Sequence, residues 1–181
     1  MNLEEFKVKV YSVIEEYSET ADNLTEDDDL AAKMNSCINM IINEMSRFKK
    51  IDAYTTMEVS EGDNIALTDI ASDIYQLNLI RGVDYETVGN RVKFNETGTA
   101  DIYYYKYPKL ITDDTEDDAY KFELDREALE IAAYGVAGLL LASDISNNYG
   151  QVYTNLYREK ISQLDSRKVM PSVFISGGVN I

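Results

Sequence analysis

Carboxylates are the only side chains dense enough in this sequence to suggest chemistry. Eight acids and no base lie between Lys9 and Lys33: Glu15, Glu16, Glu19, Asp22, Glu26, Asp27, Asp28 and Asp29. A second cluster holds Asp113, Asp114, Glu116, Asp117 and Asp118. Such oxygen donors could hold calcium, but a calcium loop needs Gly at its sixth position and Glu at its twelfth. Counted from Asp113, those positions are Asp118 and Leu124, and the first cluster has no glycine at all. Two carboxylates could also hydrolyse a glycosidic bond. Among 33 Asp and Glu residues some pair always exists, so that signal selects nothing. Both clusters read as solvated acidic surface, with no metal expected.

The absence of histidine narrows the chemistry further. Ser-His and Cys-His nucleophile pairs, an imidazole base and the usual zinc and non-haem iron ligand sets are all excluded. Cys37 is the only cysteine, which rules out an internal disulfide and any CxxC site. In its apolar-periodic surroundings it reads as a small buried side chain. No catalytic constellation is left, so neither an enzyme nor a cofactor is expected. With 17 Lys and Arg against 33 acids, the net charge is −16, which opposes a grip on nucleic-acid phosphates.

The fourteen tyrosines are more informative. Tyr103, Tyr104, Tyr105 and Tyr107 crowd one strand and place aromatics on both of its faces. One face can be core; the other is either a solvated surface or an interface with a partner, where tyrosine is favoured.

These residues must be carried by elements of two periods. Phe6, Val10, Val13, Ile14 and Tyr17 form a helical stripe, with Asn2 as its cap and Glu4 and Glu5 in its first turn. Leu30, Met34, Cys37, Ile38, Ile41, Ile42, Met45 and Phe48 form a longer one, capped by Asp28 or Asp29. From about Ile51 to Pro108 the period is two: Met57 and Val59, Ile65 and Leu67, Tyr75, Leu77 and Leu79, Val92 and Phe94, and Ile102 and Tyr104 alternate with polar neighbours. This predicts roughly five short antiparallel strands separated by turns at Glu61–Asn64, Gly89-Asn90 and Asn95–Gly98. Asp125 or Glu127 opens a third helix that is apolar nearly all round. Its stretch Ile131–Ala142 is far short of a membrane span, and Gly135 and Gly138 suit a close approach of another backbone. Tyr149 to Leu164 give a fourth helix, and Val169–Ile181 reads as an extended tail after Pro171. The expected fold is α+β: mainly a bundle of about four helices (residues 1–50 and 111–168), an inserted small antiparallel β module (51–110) and an extended C-terminal arm (169–181). The acidic start lacks the basic and apolar regions of a signal peptide, so a soluble protein is expected.

This order of parts resembles the head-to-tail connector, or adaptor, proteins of tailed bacteriophages. The local likeness lies in Tyr105-Lys106-Tyr107-Pro108, Ile111-Thr112-Asp113-Asp114-Thr115 and Phe122-Glu123-Leu124-Asp125. It continues through Ile131–Ala137 and Leu140–Asp144, then Tyr149, Tyr153, Tyr157 and Lys160–Ser166. The β module departs from the smallest, nearly all-helical members of that family. The resemblance implies a virion structural protein without catalysis: a ring, usually of twelve copies, below the portal, extending the DNA channel and docking tail or stopper proteins. DNA would pass without specific binding, and no membrane is involved. An acidic lumen formed by Glu26, Asp27, Asp28, Asp29, Asp113, Asp114, Asp117 and Asp118 would repel the DNA backbone. Portal or subunit contacts are expected at Tyr103, Tyr105, Gly135 and Gly138, and in the tail at Val173, Phe174, Ile175, Val179 and Ile181, which suit strand addition to a partner. An acidic DNA mimic that inhibits a nucleic-acid enzyme, or another cytoplasmic interaction module, remains the alternative.

Overall fold

A computed structural model describes residues 1–14, 28–143 and 148–166. Five α-helices and two three-stranded antiparallel sheets are present among them, with 47% helix and 27% strand. The expectation of a mainly helical bundle of about four helices is therefore corrected. The β region holds six strands where roughly five were expected, and a core of its own.

Helix α1 (Leu3–Val13) begins with a reciprocal cap: Glu5 N–H donates to Asn2 Oδ1 at 2.8 Å and Asn2 N–H donates to Glu5 Oε2 at 2.9 Å. It buries Leu3, Phe6 and Val10; Tyr17, expected on the same stripe, lies outside the described residues. Helix α2 (Asp28–Phe48) buries Leu30, Met34, Ile38, Ile41, Ile42 and Met45. Cys37 is half-buried on its flank, where burial raises the thiol pKa and the charge of Lys33 partly opposes the rise.

The chain then builds β1 (Ile51–Val59), β2 (Asn64–Ala66), the single turn α3 (Leu67–Ile70), β3 (Ile74–Arg81), β4 (Tyr85–Val88), β5 (Arg91–Phe94) and β6 (Gly98–Lys106). One sheet has the order β1-β6-β3 and the other β2-β5-β4. Leu67, expected to continue a strand with Ile65, instead starts α3, where Ala71 N–H closes the turn on Leu67 C=O at 3.1 Å. Strand β4 escapes a period-two reading because its four residues are half-buried or exposed. Gly82, at φ +92°, is the tightest point of the module: a Cβ there would strike the Thr99 carbonyl. Val59, Ile74, Ile80, Val92, Phe94, Ala100, Ile102 and Tyr104 form the module's own core.

Helix α4 (Arg126–Leu140) starts where Asp125 Oδ1 accepts from Ala128 N–H at 2.8 Å. It packs on α1, on α2 and on α5 (Tyr149–Ser166), so it is the centre of a second, larger core. The helix ends at Leu140 in a 3-10 turn over Leu141–Ser143, leaving Ala142 exposed rather than inside the helix as expected. Tyr153 of α5 donates its hydroxyl to the Val13 carbonyl at 2.8 Å and so ties the last helix to the first.

Candidate interaction surface

Strand β6 divides its aromatics by alternation. Ala100, Ile102 and Tyr104 point into the module core, and the Tyr104 hydroxyl donates to Asp73 Oδ1 at 3.2 Å. Burial, and then the charge of Asp73, raises the Tyr104 pKa. Tyr103 and Tyr105 point the other way and are half-buried. Pairing register brings Tyr54 opposite Tyr103 from β1 and Leu79 opposite it from β3; Asp52 and Gln76 flank Tyr105.

The resulting face is aromatic and cationic at two points. The Tyr54 and Tyr103 rings stand 5.1 Å apart, Arg81 lies 5.4 Å from the Tyr103 ring centre, and Lys50 Nζ lies 4.3 Å from that of Tyr105. Tyr54 is 56% exposed and Leu79 37%, so the face is open to a partner. Asp101 accepts from the Tyr54 and Thr56 hydroxyls at 3.0 and 3.1 Å, which orders the edge of the patch. Tyr54, Leu79 and Arg81 were not singled out from sequence. Only the register of β6 with both neighbours gathers them, although the alternation of Asp52, Tyr54 and Thr56 is visible in the chain.

A second feature lies where the β module meets the helices. Asn39 of α2 uses its whole amide on Ile111, accepting from the backbone N–H at 2.9 Å and donating to the carbonyl at 2.8 Å. Lys106 pairs with Glu123 and Lys49 with Asp125, and the Tyr120 hydroxyl donates to the Lys109 carbonyl. Burial, with Glu123 nearby, pushes the Tyr120 phenol up to about 12. The hydrogen bond to Glu123 raises the Lys106 pKa. Burial works to raise the Asp125 pKa, but the Ala128 N–H and Lys49 outweigh it and hold the carboxyl below its usual value. Beside this junction an open groove of about 800 Å³ is lined by the exposed apolar side chains Met40, Tyr107 and Leu110.

The acidic residues divide. Asp29, Asp113, Asp114 and Asp118 are exposed, and Asp28 is the first residue of α2. Asp117 does not belong with them. It takes an ion pair from Lys7 Nζ at 2.7 Å, and its carbonyl accepts the Leu3 and Glu4 N–H groups, so it holds the start of α1. The expectation that this residue faces channel or solvent alone is corrected: the open N–H groups of a helix start recruit it. Glu26 and Asp27 lie outside the described residues, as do Val173, Phe174, Ile175, Val179 and Ile181.

Gly135 and Gly138 are buried inside the chain, which corrects their assignment to a contact between subunits. A Cβ at Gly135 would sit 2.9 Å from Ile41 Cδ1 and 3.0 Å from the Tyr157 ring; at Gly138 it would sit 2.6 Å from Thr154 Oγ1. Both glycines let α5 lie close on α4, and Gly150 returns the contact from the other side against the Leu141 backbone.

Among the described residues no group of three or more Cys, Asp or Glu side chains is placed to hold a metal ion. No described helix is long and apolar enough to cross a membrane. No protein-family model matches the sequence, and no curated protein sequence matches it. The geometry presents an aromatic sheet face, an apolar groove and exposed acids.

Proposed function

We propose that this chain is a virion structural protein, a head-to-tail connector that assembles in the host cytoplasm as a ring of twelve copies beneath the portal. The ring extends the DNA channel and docks tail or stopper proteins, without catalysis or cofactor. The observation that carries this reading is what residues 105–166 build, because they contain the phrases resembling the connector family. Their first part is the strut from β6 to α4, anchored by Asn39, Lys49 and Lys7. Their second part is the α4–α5 pair at the centre of the larger core. The stretch that carries the likeness is thus the stretch on which the helical layer is built.

Two further features support the reading. An aromatic face of Tyr54, Tyr103, Tyr105 and Leu79 has the composition of a subunit contact. Exposed Asp113, Asp114 and Asp118 belong to a net charge of −16, which suits a lumen through which DNA slides without sticking. That same charge favours one competing reading, an acidic mimic of DNA that blocks a nucleic-acid enzyme.

Sedimentation of the purified chain, alone and with a phage portal protein, separates the two. A connector co-sediments with portal, and negative-stain images show an added ring. A chain that stays monomeric or dimeric with portal, yet is captured by a basic nucleic-acid enzyme, overturns the connector reading.

A further inference from the structure

We propose that residues 173–181 of one copy add as a fourth strand to the free edge of β1 in an adjacent copy. The presence of adjacent copies rests on the connector reading; the docking site is argued from the strand itself. Among the described residues β1 is an edge strand of nine residues, paired on one side only, with an unbroken one-to-one register to β6 from Ile51 to Val59. The opposite edge, β3, has two register irregularities and offers a poorer template. A long, regular, unprotected edge presents a row of backbone donors and acceptors to any strand of matching length.

The core behind β1 is also open on that side. Ile51 and Val59 are buried at its two ends, but Ala53, Thr55 and Met57 between them are only half-buried, with Ala53 and Met57 packed at the margin of the module core. A strand laid beside β1 with apolar side chains at alternate positions would cover this margin. Residues 173–181 have that pattern: Val173, Ile175, Val179 and Ile181 share one strand face, interrupted only by Gly177, and the other face holds Phe174, Ser176, Gly178 and Asn180. The segment has the nine-residue length of β1 and contains no proline.

Residues 173–181 carry no charged side chain, so none of them is repelled by the exposed Asp52 and Glu58 near the ends of β1. Six residues, 167–172, separate the segment from the end of α5 and span at most about 20 Å. A donor segment and an acceptor edge on one chain make a head-to-tail contact, the kind that repeats around a ring and closes it.

The test uses two co-expressed, differently tagged full-length chains, both Cys37→Ser. One carries Thr55→Cys and the other a single cysteine at each position from 174 to 180 in turn. Under mild oxidation of the assembled protein, a disulfide between the two tags at one or two tail positions of a single strand face is expected. Rings that form with no such crosslink, or crosslinks found only within one chain, overturn the docking and leave the connector reading intact. Crosslinked pairs without any ring or portal binding overturn the connector reading and leave the docking. As a readout that needs no substitution in β1, hydrogen exchange of β1 amides is compared between the full chain and a chain ending at Val169. Protection of β1 that is lost on truncation and on dilution supports the proposal; identical exchange in both chains overturns it.

Discussion

Replacing Gly138 with alanine tests the contact on which the larger core depends. The new Cβ would lie 2.6 Å from Thr154 Oγ1, 3.0 Å from the Thr154 nitrogen and 3.3 Å from the Gly150 carbonyl oxygen. The hydroxyl is held by its bond to Gly150 C=O at 2.8 Å, and the other two atoms are backbone, so none of the three swings aside freely. To bring the nitrogen to an ordinary 3.4 Å, α5 must retreat by about 0.4 Å along a close-packed seam, and clearing the hydroxyl as well takes about 0.8 Å. Overpacking of this kind costs ~1–3 kcal/mol, while exchanging Gly for Ala within a helix returns ~1 kcal/mol. The expected net loss is therefore about 1 kcal/mol, read as a lower urea midpoint at unchanged slope and a melting temperature lower by about 2–4 °C. Removing the closest atom with Thr154→Ala should make the pair less destabilising than the sum of its parts, by about 0.5–1 kcal/mol. Gly135→Ala is the milder comparison, with a smaller loss expected, because its nearest neighbours, the Ile41 methyl at 2.9 Å and the Tyr157 ring at 3.0 Å, are side chains rather than backbone. If Gly138→Ala raises stability by the full helix-propensity gain, the close approach is not a constraint and the reasoning fails.

Asn39→Leu should cost about 2–3 kcal/mol, since it leaves the Ile111 N–H and C=O without their partners in a half-buried site; an unchanged thermal unfolding curve refutes the clamp. Tyr120 and Tyr157 should resist ionisation in the folded chain, Tyr120 to about pH 12, because burial first, and Glu123 and Glu44 second, disfavour their charged forms. The unfolded phenols ionise near ~10, so the folded state holds more protons above that pH and stability should fall as pH rises through this window. Absorbance at 295 nm that shows all fourteen tyrosines titrating together near pH 10, with structure retained, contradicts this. Asp125→Asn should lose stability at pH 7 relative to the parent. The difference should vanish below the ordinary carboxylate range of ~4, because the lowered folded pKa contributes only while the group is ionised; a pH-independent difference would assign the effect to packing. Finally, the purified chain should show no duplex binding at physiological salt in a gel-shift assay, and tight salt-sensitive binding would sink the acidic-lumen idea.

Much of the helical layer was legible in the chain because its signals are local. Asn2, with Glu4 and Glu5 in the turn that follows, announces the start of α1, and Asp125, one of the two residues read as opening α4, caps it. The apolar stripe of α2 from Leu30 to Met45 needs no partner to be seen. The β module was read less well. Alternation revealed β1, β2, β3, β5 and β6, although it ran β2 on into Leu67, where the single turn α3 begins; β4 offers no buried residue. Asp117 shows the same limit among the acids: nothing in its sequence context distinguishes it from Asp118, yet one grips α1 and the other faces solvent.

By itself the sequence determined what this protein lacks and what its segments prefer. Without histidine, and with a single cysteine, whole classes of chemistry are closed however the chain folds. Helical and strand periods follow from side-chain direction within a few residues, so they survive without knowledge of contacts. Only the tertiary structure decided which surfaces are left for partners. Tyr54, Leu79 and Arg81 meet Tyr103 because strands far apart in sequence pair in one register, and Gly138 is internal because α5 folds back onto it. Such juxtapositions depend on long-range packing, where burial of one face leaves the other exposed, and no local pattern of residues says which face the core will take.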